Sequence, residues 1–236
     1  MIFGLLVVAL VFAQFAQAQT VDEVLDKYMA AMGGKDKLLA MTSLFTQGVS
    51  VMSNGTEITN TTRKVQDKLF RNDIDFGMGT SVTIVTAEKG WRSNPRNGGA
   101  FEPMSAEALQ ASLYQMDCAG PLVNYAAKGH KAELMGKETI DGAECYKIKL
   151  TTKAGKEIMY WIDCKTYLLG QSSQKGGMGG GRGGDIELVF MYKDYKAVDG
   201  IQFAYSVSTT GGFSGTMTYE KIELNKPVDE KLYKPE

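Results

Sequence analysis

The chain has a single histidine, His130, among its 236 residues. Most catalytic zinc sites and the two-histidine iron sites need more than one, so sites of these kinds are excluded. The sequence contains no Gly-x-Ser-x-Gly motif, and a serine hydrolase triad has no support. Cys118 with His130 is a conceivable nucleophile and base, but a small residue beside the turn at 119–121 is typical of a buried apolar position. The sequence therefore predicts a non-catalytic protein without metal or cofactor.

The chain also lacks an excess of either charge, with 26 Lys and Arg against 27 Asp and Glu. This balance argues against a nucleic-acid partner and against an acidic tail. The glycine-rich stretch 176–184 contains no lysine, and a strand-like pattern follows it rather than a helix. A phosphate-binding loop needs both features, so we interpret this stretch as a hairpin loop.

Long apolar runs are absent after the first 18 residues, which are almost wholly apolar and end in Ala16-Gln17-Ala18. This small-x-small ending is the pattern that signal peptidases cut, and the run is too short to span a bilayer comfortably. We interpret 1–18 as a signal peptide and 19–236 as one exported domain, expected to be soluble in the periplasm. Because no Lys or Arg precedes the run, an uncleaved anchor or an incomplete start is the alternative.

Export would place the three cysteines in an oxidising compartment. The strand-like runs 143–150 and 157–163 flank a turn at 154–155, and a hairpin centred there pairs residues whose numbers sum to 309. Cys145 and Cys164 meet this condition, so a disulfide between them is predicted. Two free thiols in a coincidental register are the alternative. Cys118 is predicted to be a buried free thiol.

Hydrophobic periodicity divides the chain into helical and strand-like segments. Thr20 and Glu23 form a capping-box pattern at the start of a helix that Gly33 and Gly34 end. From Ser43 onward the period is two, over about ten or eleven strands with a second helix at 105–115. The sequence predicts a mainly β protein with minor α, in which short helices cover one curled antiparallel sheet.

Apolar residues alternate along several of these strands, and such a face must be covered by helices, another sheet or a ligand. Two short helices are too little for ten strands, so part of the face is predicted to line a cavity. The residues assigned to this lining are Phe45, Val49, Val51, Tyr146, Ile148, Leu150, Met159, Trp161, Leu188, Phe190 and Phe203. Leu109 and Leu113 are predicted to form a movable lid. A fully sealed core is the alternative.

Several segments resemble the LolA-like family of bacterial outer-membrane lipoprotein-sorting proteins. They include Val24-Leu25-Asp26-Lys27-Tyr28, Gly136-Lys137-Glu138-Thr139-Ile140-Asp141-Gly142, Tyr160-Trp161-Ile162-Asp163 and Asp194-Tyr195-Lys196. The resemblance implies a half-barrel of about eleven antiparallel strands with helices as a lid over a hydrophobic concavity. It also implies carriage or sensing of lipoprotein acyl chains.

These observations together predict a periplasmic, monomeric binding or carrier protein for lipoprotein acyl chains or another lipid-like ligand. The family's lid-latching arginine has no matching position here, which favours lipid binding in general over lipoprotein shuttling. Membrane-associated proteins are possible partners, and nucleic acid is not expected. The alternative function is an interaction or scaffold module with a sealed core and no ligand.

Overall fold

The computed structural model describes residues 19–52, 55–176, 186–211 and 214–235. The interpreted signal peptide, 1–18, and most of the glycine-rich loop, 177–185, lie outside these ranges. The helical elements of the described residues comprise three α-helices and three 3₁₀ turns. They are α1 (Val21–Ala31), α2 (Lys35–Leu39), η1 (Pro95–Asn97), α3 (Ala106–Ser112), η2 (Leu113–Met116) and η3 (Glu230–Tyr233).

Thirteen strands are found in the same ranges. They are β1 (Ser43–Met52), β2 (Glu57–Val65), β3 (Leu69–Asp75), β4 (Thr80–Val85), β5 (Gly90–Ser93), β6 (Phe101–Pro103), β7 (Lys131–Ile140), β8 (Ala143–Thr151), β9 (Glu157–Asp163), β10 (Leu169–Lys175), β11 (Glu187–Val198), β12 (Ile201–Thr210) and β13 (Gly215–Leu224). All belong to one antiparallel sheet that does not close, in the order β6-β5-β4-β3-β2-β1-β13-β12-β11-β10-β9-β8-β7.

The predicted class, one mainly β antiparallel sheet with short helices, is confirmed. The strand count exceeds the predicted ten or eleven, and the short edge strand β6 was not predicted at all. It has three residues and ends in Pro103, which removes a backbone donor and is tolerated at a sheet edge. Three residues after a glycine-rich turn are too few to show an alternating pattern.

The start of α1 follows the predicted capping box. The Thr20 hydroxyl accepts a hydrogen bond from the Glu23 amide at 3.2 Å, and the Glu23 carboxylate accepts one from the Thr20 amide at 3.0 Å. The helix ends where Gly33 takes a φ of 120°, in the region that favours glycine. A Cβ on Gly33 would lie 2.2 Å from the Gly200 carbonyl oxygen, so this glycine also allows α1 to approach the β11–β12 turn.

The strand order explains how the chain crosses the sheet. β1 pairs with β13 in the middle, whereas β6 and β7, which follow one another in the chain, lie at opposite edges. The connection between them, residues 104–130, contacts β2 through Lys64 and β10 through Gln174. We call this connection the strap. The face of the sheet that the strap and α1 cover is the inner face, and the opposite one is the outer face.

Three clusters of buried side chains hold these layers together. The largest lies between the inner face, α1, α2 and the strap, with Leu25, Val123 and Ile148 among its members. A smaller one, on the outer face, packs Leu69 and Ile84 against the C-terminal segment 226–235. The third joins α3 and η2 to the inner face of β3 and β4.

Candidate ligand-binding face

The register of the β8–β9 hairpin decides which of its side chains reach the inner face. The facing residues are Tyr146 with Ile162, Ile148 with Tyr160, and Leu150 with Ile158. Their numbers sum to 308 rather than to the predicted 309. Successive side chains of a strand point to opposite faces, so a change of one residue moves the whole partner strand to the other side. The inner partners of Ile148 and Leu150 are therefore Tyr160 and Ile158, and the register prediction is wrong.

Met159 and Trp161, predicted to line the cavity, project from the outer face opposite Lys149 and Lys147. The Trp161 indole nitrogen donates a hydrogen bond to a Glu138 carboxylate oxygen at 2.9 Å. The Lys147 ammonium lies 5.3 Å from the centroid of the indole ring. Long polar side chains thus cover Trp161 on the outside, and the structure corrects the assignment of both residues.

Phe45, Val49 and Val51 also lie on the outer face. Phe45 contributes to a cavity of about 130 Å³ beneath the C-terminal segment, and its ring centroid lies 5.2 Å from the Arg63 guanidinium. Val51 is 54% exposed. The alternation predicted for β1 is present, but these side chains lie on the outer side, where the C-terminal segment covers Phe45 and leaves Val51 largely exposed. The prediction that these three residues line the cavity is therefore wrong.

The inner face beneath α1 is closed. Ile148 and Leu150 have no exposed surface, since Val24, Leu25 and Val123 pack over them. The Tyr146 hydroxyl donates a hydrogen bond to the side-chain oxygen of Gln19 at 2.5 Å, at the edge of this cluster. Ile148 and Leu150 lie on the predicted face but inside packed core. We call this part of the inner face the sealed region.

The inner face of β11–β13 is different, because many of its apolar side chains are only half-buried. We call these residues the open patch: Phe190, Tyr192, Phe203, Tyr205, Val207, Met217 and Tyr219. Val207 faces Tyr192 on one side and Met217 on the other. Phe190, Val207 and Met217 belong to none of the three buried clusters found among the described residues. Leu188, by contrast, is buried, with 4% of its surface exposed.

Two tyrosines, Tyr192 of the open patch and Tyr114 of the strap, lie deep in the protein. Burial raises the pKa of Tyr192 to about 12 and that of Tyr114 to about 12. Both side chains nevertheless keep some exposed surface. The Tyr192 hydroxyl is 2.9 Å from the Ser172 hydroxyl, on the inner face of β10. These phenols therefore stay neutral at physiological pH and offer hydrogen-bonding groups in a weakly hydrated space.

The strap is tied to both halves of the sheet by polar contacts. The Tyr114 hydroxyl accepts a hydrogen bond from the Lys156 ammonium at 3.1 Å and lies 3.3 Å from the Gln174 side-chain oxygen. On the other half, the Lys64 ammonium donates to the Asp117 carbonyl oxygen at 3.1 Å. Burial lowers the pKa of Lys64, since its ammonium group lies in a poorly hydrated place between β2 and the strap.

The predicted lid residues both lie in the strap, on different elements. Leu109, in α3, is 9% exposed and packs with Val85 and Met116. Leu113 begins η2, is half-buried, and packs against the edge of the same cluster. Leu109 is therefore part of a small core, whereas Leu113 lies closer to the surface. Movement of the strap remains a prediction.

All three cysteines are free thiols in the structure. Cys145 faces Asp163 rather than Cys164, because the hairpin register is one residue from the predicted one. The Cys164 amide instead donates to the Glu144 carbonyl oxygen at 2.9 Å. The geometric argument for a directly facing pair therefore fails. Burial raises the pKa of Cys145 to about 11.

The pair Cys118 and His130 does not form an activated nucleophile. Burial raises the pKa of Cys118 to about 11, so its thiol stays protonated at neutral pH. The Nδ1 atom of His130 accepts a hydrogen bond from the Lys153 amide at 3.0 Å. Within the described ranges, no three His, Cys, Asp or Glu side chains come close enough to hold a metal ion.

Sequence reasoning missed three polar residues of this site. Tyr114 and Lys156 meet across the strap, and Arg92 lies on the inner face of β5, two residues after Gly90. A four-residue strand such as β5 shows too little alternation to reveal the side of Arg92. The contact between Tyr114 and Lys156 joins segments that are distant in sequence, so no local pattern predicts it.

None of the helices that the structure describes is long and apolar enough to cross a membrane. Comparison with protein-family models found no match to the chain. Comparison with curated protein sequences also found none.

Solved structures, in contrast, match the fold over nearly the whole chain. A LolA superfamily protein from Nitrosomonas europaea has a TM-score of 0.57 and 12% identity, with 92% of this chain and 99% of that chain covered. A DUF1329 family protein from Desulfovibrio piger has a TM-score of 0.57 and 14% identity, covering 92% and 98%.

A putative outer-membrane lipoprotein-sorting protein domain from Vibrio parahaemolyticus matches with a TM-score of 0.54 and 10% identity, over 89% of this chain and 94% of that one. At these identities the likeness concerns the fold. The chain therefore has a LolA-like fold, as the resemblance of its sequence motifs implied.

Proposed function

We propose that this protein is an exported, non-catalytic carrier or binder of lipid-like ligands, and that the ligand's apolar part lies on the open patch beneath the strap. The observation that carries the proposal is the half-buried state of Phe190, Val207 and Met217, which face inward and yet belong to no buried cluster of the described residues. Apolar surface in such a place favours an apolar occupant.

The chemistry of the open patch suits a flexible chain. Aromatic rings and a methionine adapt to varied apolar partners. The hydroxyls of Tyr192 and Tyr219 supply polar groups at the same surface, which would orient a ligand with one polar end. The LolA-like fold supports this proposal, since similar structures include a lipoprotein-sorting domain. Lipoprotein acyl chains are accordingly one candidate ligand.

The scaffold alternative keeps one observation in its favour, the full burial of Ile148 and Leu150. Both residues belong to the sealed region, so their burial does not show that the open patch is also closed. If no ligand bound to the open patch, the scaffold alternative would be favoured. The protein would then act through contacts of its outer surface with other proteins.

We also propose that residues 1–18 are removed and that 19–236 is the mature periplasmic domain, acting as a monomer. The capping box of α1 begins at Thr20, immediately after the proposed new terminus at Gln19. An intact mass corresponding to 19–236 in the periplasmic fraction is the expected result. Retention of residues 1–18 with the protein in the membrane pellet would contradict it.

Ligand binding is tested with the protein purified from a native periplasmic extract. Bound lipids are extracted and identified by mass spectrometry, and the emptied protein is titrated with cis-parinaric acid, a fluorescent fatty acid. We expect lipid in the extract and saturable binding with a dissociation constant on the order of 1 μM. A clean extract together with no change in probe fluorescence would refute the carrier proposal.

A further inference from the structure

Three half-buried cations on the ligand side of the sheet make no ion pair among the residues that the structure describes: Lys64 in β2, Arg92 in β5 and Lys156 in the β8–β9 turn. Lys64 is held by the Asp117 carbonyl oxygen at 3.1 Å, which leaves Arg92 and Lys156. Half-buried cations in folded proteins usually pair with carboxylates. An unpaired couple beside a proposed binding surface therefore indicates a ligand that supplies the negative charge.

The sheet register places Arg92 on the inner face. Its cross-strand partner in β4 is Thr83, and Gly90, two residues earlier on the same side, faces the strap so closely that a Cβ there would lie 2.6 Å from the sulfur of Met104. Arg92 is half-buried. Its neighbour in β6, Glu102, is exposed and makes no ion pair with it.

Lys156 approaches the same place from the other half of the sheet. Its ammonium group donates to the Tyr114 hydroxyl at 3.1 Å and lies 5.2 Å from the centroid of that ring. Burial, and then the positive charge of Arg92, lower the pKa of Lys156. Lys156 thus contacts Tyr114 of the strap directly, and Arg92 lies on the inner face of β5, where the strap packs Met104 against Gly90.

We propose that Arg92, Lys156 and Tyr114 bind the anionic headgroup, carboxylate or phosphate, of an amphiphile whose apolar chain lies on the open patch. This inference rests on the proposed function and specifies its ligand class. An anion placed between two cations removes their repulsion and gains charge-assisted hydrogen bonds from both. The planar guanidinium of Arg92 suits a carboxylate or a phosphate equally.

The headgroup site is continuous with the open patch. The Tyr114 hydroxyl lies 3.3 Å from the side-chain oxygen of Gln174, and Gln174 faces Leu188 on β11. Phe190 follows two residues later on the same face and begins the open patch. An extended acyl chain that starts at Lys156 therefore meets apolar side chains without crossing the sealed region.

Cis-parinaric acid and its methyl ester test the proposal, because they share one apolar chain and differ in charge. At pH 8 and low salt we expect the acid to bind about tenfold more tightly than the ester. In Arg92→Gln and in Lys156→Gln this preference should fall to near twofold or less, while ester binding stays unchanged. The matched control is Lys153→Gln, which removes an exposed cation from the same turn and should keep the preference.

The outcomes separate this inference from the proposed function. Equal binding of acid and ester by the unaltered protein would overturn the headgroup site and leave the lipid binder intact. Absence of binding by both probes would overturn both. Inorganic phosphate is titrated separately by calorimetry. Micromolar binding of phosphate alone, with no preference between the two lipid probes, would show a site for a free anion and would overturn the amphiphile assignment.

Discussion

The two parts of the inner face have similar sequences and different environments. In the sealed region, Ile148 and Leu150 alternate with lysines and are completely buried beneath α1. In the open patch, Tyr205 and Val207 alternate with serines and an alanine and are only half-buried. The difference arises from what packs above each strand, since α1 and strap residues 118–123 cover the first region closely. Apolar alternation therefore identifies a face that needs a cover, and the cover decides whether that face is core or binding surface.

The largest expected effect is that of Leu150→Asp in the sealed region. An unpaired carboxylate in packed core would lower the free energy of unfolding by about 4 kcal/mol or more, because the charge loses its hydration without gaining a partner. Urea denaturation measures this directly. Leu150→Met, which keeps volume and polarity, should cost less than about 1.5 kcal/mol. A well-folded Leu150→Asp variant would show that the sealed region is open.

Val207→Asp in the open patch should behave differently. Its carboxylate keeps part of its hydration, so we expect a loss of no more than about 2 kcal/mol in stability together with loss of cis-parinaric acid binding. Val51→Asp is the matched control on the outer face, where the side chain is 54% exposed, and should change neither property. Should Val207→Asp unfold the protein as Leu150→Asp does, the distinction between the two regions would not hold.

Leu109 and Leu113, in the strap, allow the same comparison between a buried and a half-buried position within the segment that covers the sheet. Leu109→Ala empties a buried position and should cost about 2–3 kcal/mol. Leu113→Ala removes a half-buried side chain and should cost about 1 kcal/mol or less. If the strap moves during exchange, Leu113→Ala should also release bound probe faster in stopped-flow measurements. An unchanged release rate in that variant would remove Leu113 from the lid.

The smallest expected effects concern the thiols. Burial raises the pKa of Cys118 and of Cys145 to about 11 in the folded protein. In the unfolded chain the same thiols ionise at a lower pH, near 8.5. The contribution of these two thiols to stability should therefore be constant below that pH and be lost from pH 8.5 to 11. Native iodoacetamide labelling at pH 8 should be slow, with Cys164 first, and three thiols should react after unfolding. A count of one in exported protein would contradict the free thiols, and peptide mapping would then show whether the pair is the predicted Cys145–Cys164.

Local features of the sequence determined much of the architecture. The capping box at Thr20 and Glu23, the glycines that end α1, and the change from a period of 3.6 to a period of 2 depend on neighbouring residues, and the structure has all three. The antiparallel class follows from the short turns that join neighbouring strands, which leave no length for crossover helices; the strap, the one long connection between strands of the described residues, joins the two edges of the sheet. These properties are decided by backbone geometry within a few residues of chain.

Only the tertiary structure decided which side of each strand faces inward. A period of two is the same seen from either face, and only the strand register and the packing of the C-terminal segment against Phe45 identify the outer side of β1. A one-residue difference in the β8–β9 turn moved Trp161 and Cys164 away from their predicted positions. The strap brings Tyr114 to Lys156 because β6 and β7 occupy opposite edges of the sheet. Such contacts depend on the pairing order of all the strands, which no local pattern contains.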